Sequence, residues 1–295
     1  MDTLDLLPFA LAKYVMPPGV LDMVEFTSVR LYKDRRNPTS TDRKQAIRAE
    51  IQQVLDHDTS TKADKKRSIF CELRDNPSLP SSEKSLTRLE QEGTLLVMAG
   101  TESTAKSISI AHFHLLANPA IMQRVRAELK TVSTSASWTD LEQLPYLSAV
   151  IAEANRLSFG VTARVCRIAP DEELLYKQYK IPAGTPLSMT TLSVHTDETI
   201  FPDPWAFQPE RWLGHEGAAK RKYQMAFNKG GRNCVGISLA HAEMFLALAA
   251  VARYDMELFG TGLEDVEFRH DYHVAYPKLG SKGIRAMVLG KADLG

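Results

Sequence analysis

Cysteine is scarce in this chain: Cys71, Cys166 and Cys234 are the only three among 295 residues. None belongs to a CxxC pair, so neither a disulfide framework nor a structural zinc site is suggested, and the chain reads as intracellular. Net charge is lacking too, since 36 basic and 36 acidic residues cancel, and no overall field draws the protein to nucleic acid or an anionic membrane. Long apolar runs are missing. The best early stretch, Leu6 to Ala12, is short and holds Pro8, against the about 20 residues a spanning helix needs. No signal peptide, anchor, internal repeat or low-complexity tract is read.

What is there is 44% hydrophobic and 24% charged, enough apolar material for a substantial core. The pattern is mainly α with a small β region. A helix is expected over 44–55, where Ile47, Ile51, Val54 and Leu55 share a face, followed by a charged connection from Thr59 to Arg67. A long helix is expected from Ser85 to Ala117, stopped by Asn118-Pro119, and Pro119 then opens a second helix through Leu129 with Asn118 as cap. A third holds Leu147 to Leu157. Short β-like runs from Val161 to Thr191, broken by Pro170, Pro182, Gly184 and Pro186, predict a small sheet. Pro202, Pro204 and Pro209 keep residues 201–212 out of regular structure, and a last helix starts just after Cys234 and runs toward Arg253.

The segment from Phe227 to Gly236 carries the sharpest signal. Phe227, Gly230, Arg232, Cys234 and Gly236 fit the form FxxGxRxCxG, which chance supplies in on the order of one chain of this length in ten thousand, or fewer. The loop resembles the cysteine loop of the cytochrome P450 superfamily. The resemblance implies a haem b whose iron is held by the Cys234 thiolate. Such a ligand needs positive charge, backbone donors and little access for oxidants. Gly230 and Gly236 would let the backbone turn tightly, the following helix would present its positive end, Arg232 would meet a propionate and Phe227 would pack beside the loop.

Two further elements fall in the family's order. Glu153 and Arg156 form an ExxR, three residues apart on one helical face. By itself this is a solvated surface pair as readily as a site, but Pro209-Glu210-Arg211-Trp212 lies downstream like the family's PERF segment. The resemblance implies a buried triad of Glu153, Arg156 and Arg211, with Arg167 as a second propionate partner. Upstream, Ala99-Gly100-Thr101-Glu102-Ser103-Thr104 looks like the family's AGx(D/E)T(T/S) segment. Gly100 and hydroxyls that compete for backbone carbonyls are expected to open the long helix locally. Reduction of dioxygen needs two protons, so Glu102 is the candidate relay acid, with Ser103 and Thr104 as hydroxyls; Ser103 stands where the family usually has threonine.

The resemblance runs from about Ser68 to Lys282, and the region from Asp265 to Gly283 resembles fungal members. It implies the C-terminal portion of a single cytochrome P450 domain, truncated at the N-terminus. A full-length relative would sit at the endoplasmic reticulum membrane. Two readings stay open. One is a fungal secondary-metabolism monooxygenase acting on a small lipophilic substrate with dioxygen and electrons from an NADPH-cytochrome P450 reductase; Arg221, Lys222 and Lys229 read equally as its basic docking patch or as solvated surface charge. The other is a catalytically incompetent fragment. A hydrolase is disfavoured, because neither GxSxG nor HExxH occurs.

Overall fold

A computed structural model describes residues 40–56 and 68–294; the Leu6 to Ala12 stretch and the whole of the 59–67 connection lie outside the described residues. Helices α1 (Ser40–Asp56), α2 (Ile69–Asp75), α3 (Leu86–Ala117), α4 (Pro119–Leu129), α5 (Trp138–Glu142) and α6 (Pro145–Ser158) come first. The hairpin β1 (Leu174–Tyr176) and β2 (Tyr179–Ile181) follows, then α7 (Thr191–His195), α8 (Gly214–Lys220) and α9 (Ile237–Ala252). The chain closes with β3 (Tyr254–Leu258), β4 (His270–Asp271), β5 (Ala275–Tyr276) and β6 (Ala286–Lys291). The fold is mainly helical with small sheets, as the sequence pattern predicts.

The chain divides into two compact units, one spanning residues 17–102 and the other mostly residues 103–295. In the smaller unit, Ile47 and Ile51 of α1, Phe70 of α2 and Leu89 of α3 form a buried cluster. Gly93 makes that packing possible: a Cβ there would sit 2.7 Å from the Phe70 ring and 2.8 Å from Ile47. Arg48 pairs with Glu90 across the same helices.

The larger unit has its core where α3, α4, α6 and α9 meet, with Phe113, Leu115, Val125, Leu129, Leu147, Val150, Met244 and Leu248 all buried. Local chemistry sets the helix ends. The Asn118 side chain accepts from the Ala120 and Ile121 amides at 3.1 and 3.4 Å, so Pro119 can open α4 without an N–H. The start of α6 is held by a distant carboxylate: Glu128 accepts from the amides of Tyr146 and Leu147 at 2.8 and 2.9 Å, where the helix dipole favours negative charge. Helix α6 ends at Phe159, in the left-handed conformation at φ 61° with its ring fully buried.

The small sheet expected over residues 161–191 is the two-stranded β1–β2 hairpin, with single bridges of Arg167 with Leu187 and Val161 with Val274 beside it, its prolines limiting the ladder. Two expectations are corrected. Residues Pro209–Trp212 form a 3-10 turn rather than irregular chain; Pro209 sits at its first position, where a missing N–H is tolerated. Helix α3 runs unbroken through residues 99–104. The Thr101 hydroxyl does donate to the Val97 carbonyl at 2.6 Å, but alongside an intact helix rather than in its place.

Candidate functional site: a cysteine loop anchored on a buried carboxylate

Glu153, on the buried face of α6, is a heavily bonded charge of the larger unit. Its side chain is fully buried, as is that of Arg156 one turn later. Oε1 accepts from Arg156 Nη2 at 2.8 Å, Arg211 Nε at 3.0 Å and the Gln208 amide at 2.9 Å. Oε2 accepts from Arg156 Nε at 2.9 Å and from the Trp212 indole at 2.8 Å. The carboxylate is thus satisfied on both oxygens, which a buried charge requires. The surface-pair alternative for Glu153 and Arg156 is excluded by this burial.

Two guanidiniums around one carboxylate leave a surplus of positive charge, and backbone carbonyls absorb it. Arg156 also donates to the carbonyls of His195, Pro204 and Ala206. Arg211 donates to those of Pro202 and Asp203. Residues 202–206, irregular by virtue of their prolines, are therefore shaped by side chains from α6 and the 3-10 turn.

The cysteine loop begins beside this network. Asn228, at φ 58°, returns its amide to the Met225 carbonyl at 2.8 Å, and Gly230, at φ 78°, turns the chain again into a short 3-10 segment, Gly230–Arg232. The Cys234 amide donates to the Phe227 carbonyl at 2.9 Å, closing the turn. Gly236 caps α9 with no side-chain hydrogen bond, and a Cβ on it would lie 3.9 Å from Cys234 Sγ. The sulfur therefore sits at the head of a 16-residue helix whose first amides have no side-chain cap. Phe227 packs its ring edge-on against His241 of α9, centroids 5.1 Å apart.

Cys234 is exposed, and Val235 next to it is 93% exposed, with Leu239 one turn into α9 also exposed. Arg232 and Arg167 are exposed too, and neither guanidinium has a carboxylate partner among the described residues. The Arg167 backbone is held by paired hydrogen bonds with Leu187, each 2.8 Å. Of the other predicted residues, Gly100 is exposed and Glu102 half-buried at the end of the smaller unit. Ser103 is exposed and Thr104 buried at the start of the larger one. Arg221, Lys222 and Lys229 are all exposed.

Two residues of the network carry no sequence signal of their own: Trp212 stands only as part of the Pro209 run, and His195 lies in no motif. Three histidines of the larger unit are held uncharged by burial: His112 and His114, each pushed down to about 4, and His195, pushed down to about 3. For His114 the nearby Glu153 charge opposes the shift without overcoming it. Folded values below the ~6.5 of an exposed histidine mean that the unfolded chain binds more protons from about pH 6.5 down to about 4 for His112 and His114 and about 3 for His195. Their contribution to stability is complete above that window and is lost as pH falls through it. The urea midpoint is accordingly expected to drop between pH 7 and pH 5; a flat midpoint over that interval would refute the assignment.

The chain is mainly α-helical and presents the exposed Cys234 thiol from a glycine-framed turn at the start of α9. A family model described as Cytochrome P450 matches residues 16–277. The chain is 44% identical over 220 residues to the cytochrome P450 monooxygenase TRI4 of Trichoderma arundinaceum, which covers 72% of this chain and 43% of that protein. It is 39% identical over 231 residues to the cytochrome P450 monooxygenase astB of Aspergillus terreus (76% and 45%) and 39% identical over 251 residues to the cytochrome P450 monooxygenase aflU of Aspergillus parasiticus (82% and 50%). The chain belongs to the cytochrome P450 family. It spans about half the length of the curated relatives it matches.

The family implies a haem held by a cysteine thiolate, and the residues present suit that group. Sulfur is a proper donor for iron, the exposed guanidiniums of Arg232 and Arg167, with no carboxylate partner among the described residues, suit propionates, and exposed Val235 and Leu239 offer apolar surface beside the thiol. No helix among the described residues is long and apolar enough to cross a membrane.

Proposed function

We propose that this chain is the haem-binding part of a monooxygenase that inserts one oxygen atom from dioxygen into a small lipophilic substrate, in fungal secondary metabolism. The observation that carries this reading is the Cys234 thiol, exposed in its Phe227-to-Gly236 turn at the head of α9. The haem, when bound, supplies dioxygen binding and its two-electron activation.

The chain's own residues would do the rest. Cys234 would give its sulfur to the iron from the head of α9, whose first amides carry no side-chain cap. Gly230 and Gly236 would keep the turn tight, Phe227 would shield it, and Arg232 and Arg167 would hold the propionates. Glu102 takes up protons from water and passes them to the hydroxyls of Ser103 and Thr104, while Gly100 keeps the helix surface beside them free of a side chain. Electrons come from an NADPH-cytochrome P450 reductase, for which the exposed cations Arg221, Lys222 and Lys229 offer a docking patch. In the whole protein this chemistry is placed at the endoplasmic reticulum membrane.

The test is a spectrum. The purified chain, loaded with haem, reduced and exposed to carbon monoxide, is expected to show the red-shifted Soret band of thiolate ligation, and Cys234→Ala to lose it completely. A chain that takes up no haem supports the incompetent-fragment reading instead; retention of the band in Cys234→Ala removes Cys234 from the iron.

A further inference from the structure

His195 is fully buried, yet both of its ring nitrogens are bonded. Nδ1 lies 2.8 Å from the Arg156 carbonyl, which can only accept, and Nε2 lies 2.9 Å from the Met225 amide, which can only donate. The partners therefore dictate one tautomer, with the proton on Nδ1. The grip on α6 is double, because the His195 carbonyl itself accepts from Arg156 Nη1 at 2.8 Å. Rings of Phe159 and Phe201 close around the imidazole at 6.0 and 6.3 Å, and burial keeps Nε2 an acceptor at ordinary pH.

Met225 is the point at which the chain turns toward the cysteine. Its carbonyl accepts the Asn228 amide, and two residues on, the Phe227 carbonyl accepts the Cys234 amide. The same stretch is pinned from either side. Gln224 donates its side-chain amide to the Ala152 carbonyl of α6 at 2.8 Å and accepts the Ala226 amide at 3.3 Å. Gly160 lies against the Ala226 carbonyl so closely that a Cβ would stand 2.1 Å from that oxygen.

We propose that His195 is a positioning residue for the cysteine ligand. It registers the chain at Met225 on the end of the helix that carries Glu153 and Arg156, so that the turn from Phe227 to Cys234 is held at one height above α9. The buried carboxylate network and the ligand loop are then joined through the imidazole, with Gln224 and Gly160 holding the same stretch from either side. The inference rests on the proposed role of Cys234 as the haem ligand, but the join itself is a property of the polypeptide.

Two near-isosteric variants separate the ring's two functions. His195→Gln carries a carbonyl oxygen out to the Nε2 position, where it accepts the Met225 amide, and gives up the donor at Nδ1. His195→Asn keeps a donor near the Arg156 carbonyl and leaves the Met225 amide without an acceptor. Each loses one buried hydrogen bond, so a role in stability alone predicts equal effects. Positioning predicts unequal ones: in His195→Asn the Met225 and Cys234 amides exchange with solvent about fivefold faster or more, on the scale of one lost hydrogen bond, and in His195→Gln they stay protected.

In the reduced carbon monoxide complex, His195→Asn is likewise expected to lose most of its red-shifted band to an unshifted one, and His195→Gln to keep it. Equal behaviour of the two variants in exchange overturns the inference. Should the unsubstituted chain show no red-shifted band, the haem-ligand reading falls while the exchange measurement still judges the join. Should His195→Asn fail to fold, Gln224→Ala, which releases the same stretch from Ala152, is expected to speed exchange at Cys234 as well as Met225. Acceleration at Met225 alone overturns the proposal.

Discussion

Arg156→Ala is expected to cost about 3 to 5 kcal/mol of stability and to reduce haem incorporation to near nothing. The first figure is the usual penalty for stranding a buried charge. Arg156 supplies two of the five donors to Glu153 and also ties down the carbonyls of His195, Pro204 and Ala206. Its removal leaves Glu153 fully buried with Arg211, Gln208 and Trp212 as partners, and leaves three carbonyls short of a donor. Arg156→Lys keeps the charge but cannot present the planar fork to both carboxylate oxygens, so it should fall between alanine and the parent. The check is a urea titration together with haem absorbance per mole of protein. A soluble Arg156→Ala protein with the parent's midpoint and full haem content would remove the network from any part in building the site.

Gly160→Ala is expected to be nearly as damaging, at about 3 kcal/mol, although it adds only one methyl group. Gly160 has φ +60°, which costs an L-residue about 1 to 2 kcal/mol, and the new Cβ would meet the Ala226 carbonyl oxygen at 2.1 Å and its carbon at 2.9 Å. Backbone has to move, and overpacking of this kind costs about 1 to 3 kcal/mol. The segment displaced is the one that leads into the cysteine loop, so the thiolate band should weaken along with stability. Gly184→Ala is the control. Gly184 has φ +78° but open space where the Cβ would go, so it carries the conformational cost without the clash. Equal destabilisation by the two substitutions would show that the contact with Ala226 is relaxed at no cost.

The elements legible in the sequence are those whose determinants lie close together along the chain. Helix α4 was bounded correctly because Asn118, Pro119 and the apolar residues Met122, Val125 and Leu129 span three turns. The FxxGxRxCxG turn was legible because its glycines, its arginine and its cysteine must stand at fixed offsets for the loop to close on itself, as the Cys234 to Phe227 hydrogen bond does. The pairing of β3 with β6 was not legible. It joins Leu258 to Ala286 and Tyr254 to Lys291, across an intervening segment with no periodic signal.

The sequence by itself determined the helical class of the protein, the run of the long helix, and the glycine-framed turn that carries Cys234, because these follow from periodicity and from spacing within a few residues. Only the tertiary structure decided that Glu153 is buried rather than solvated, that Trp212 donates to it, and that His195 joins its helix to the turn before the cysteine. Those facts depend on groups 30 to 60 residues apart meeting within hydrogen-bond distance. A single polar residue carries no mark of such a partner until the core closes around it and leaves it nothing else to bond.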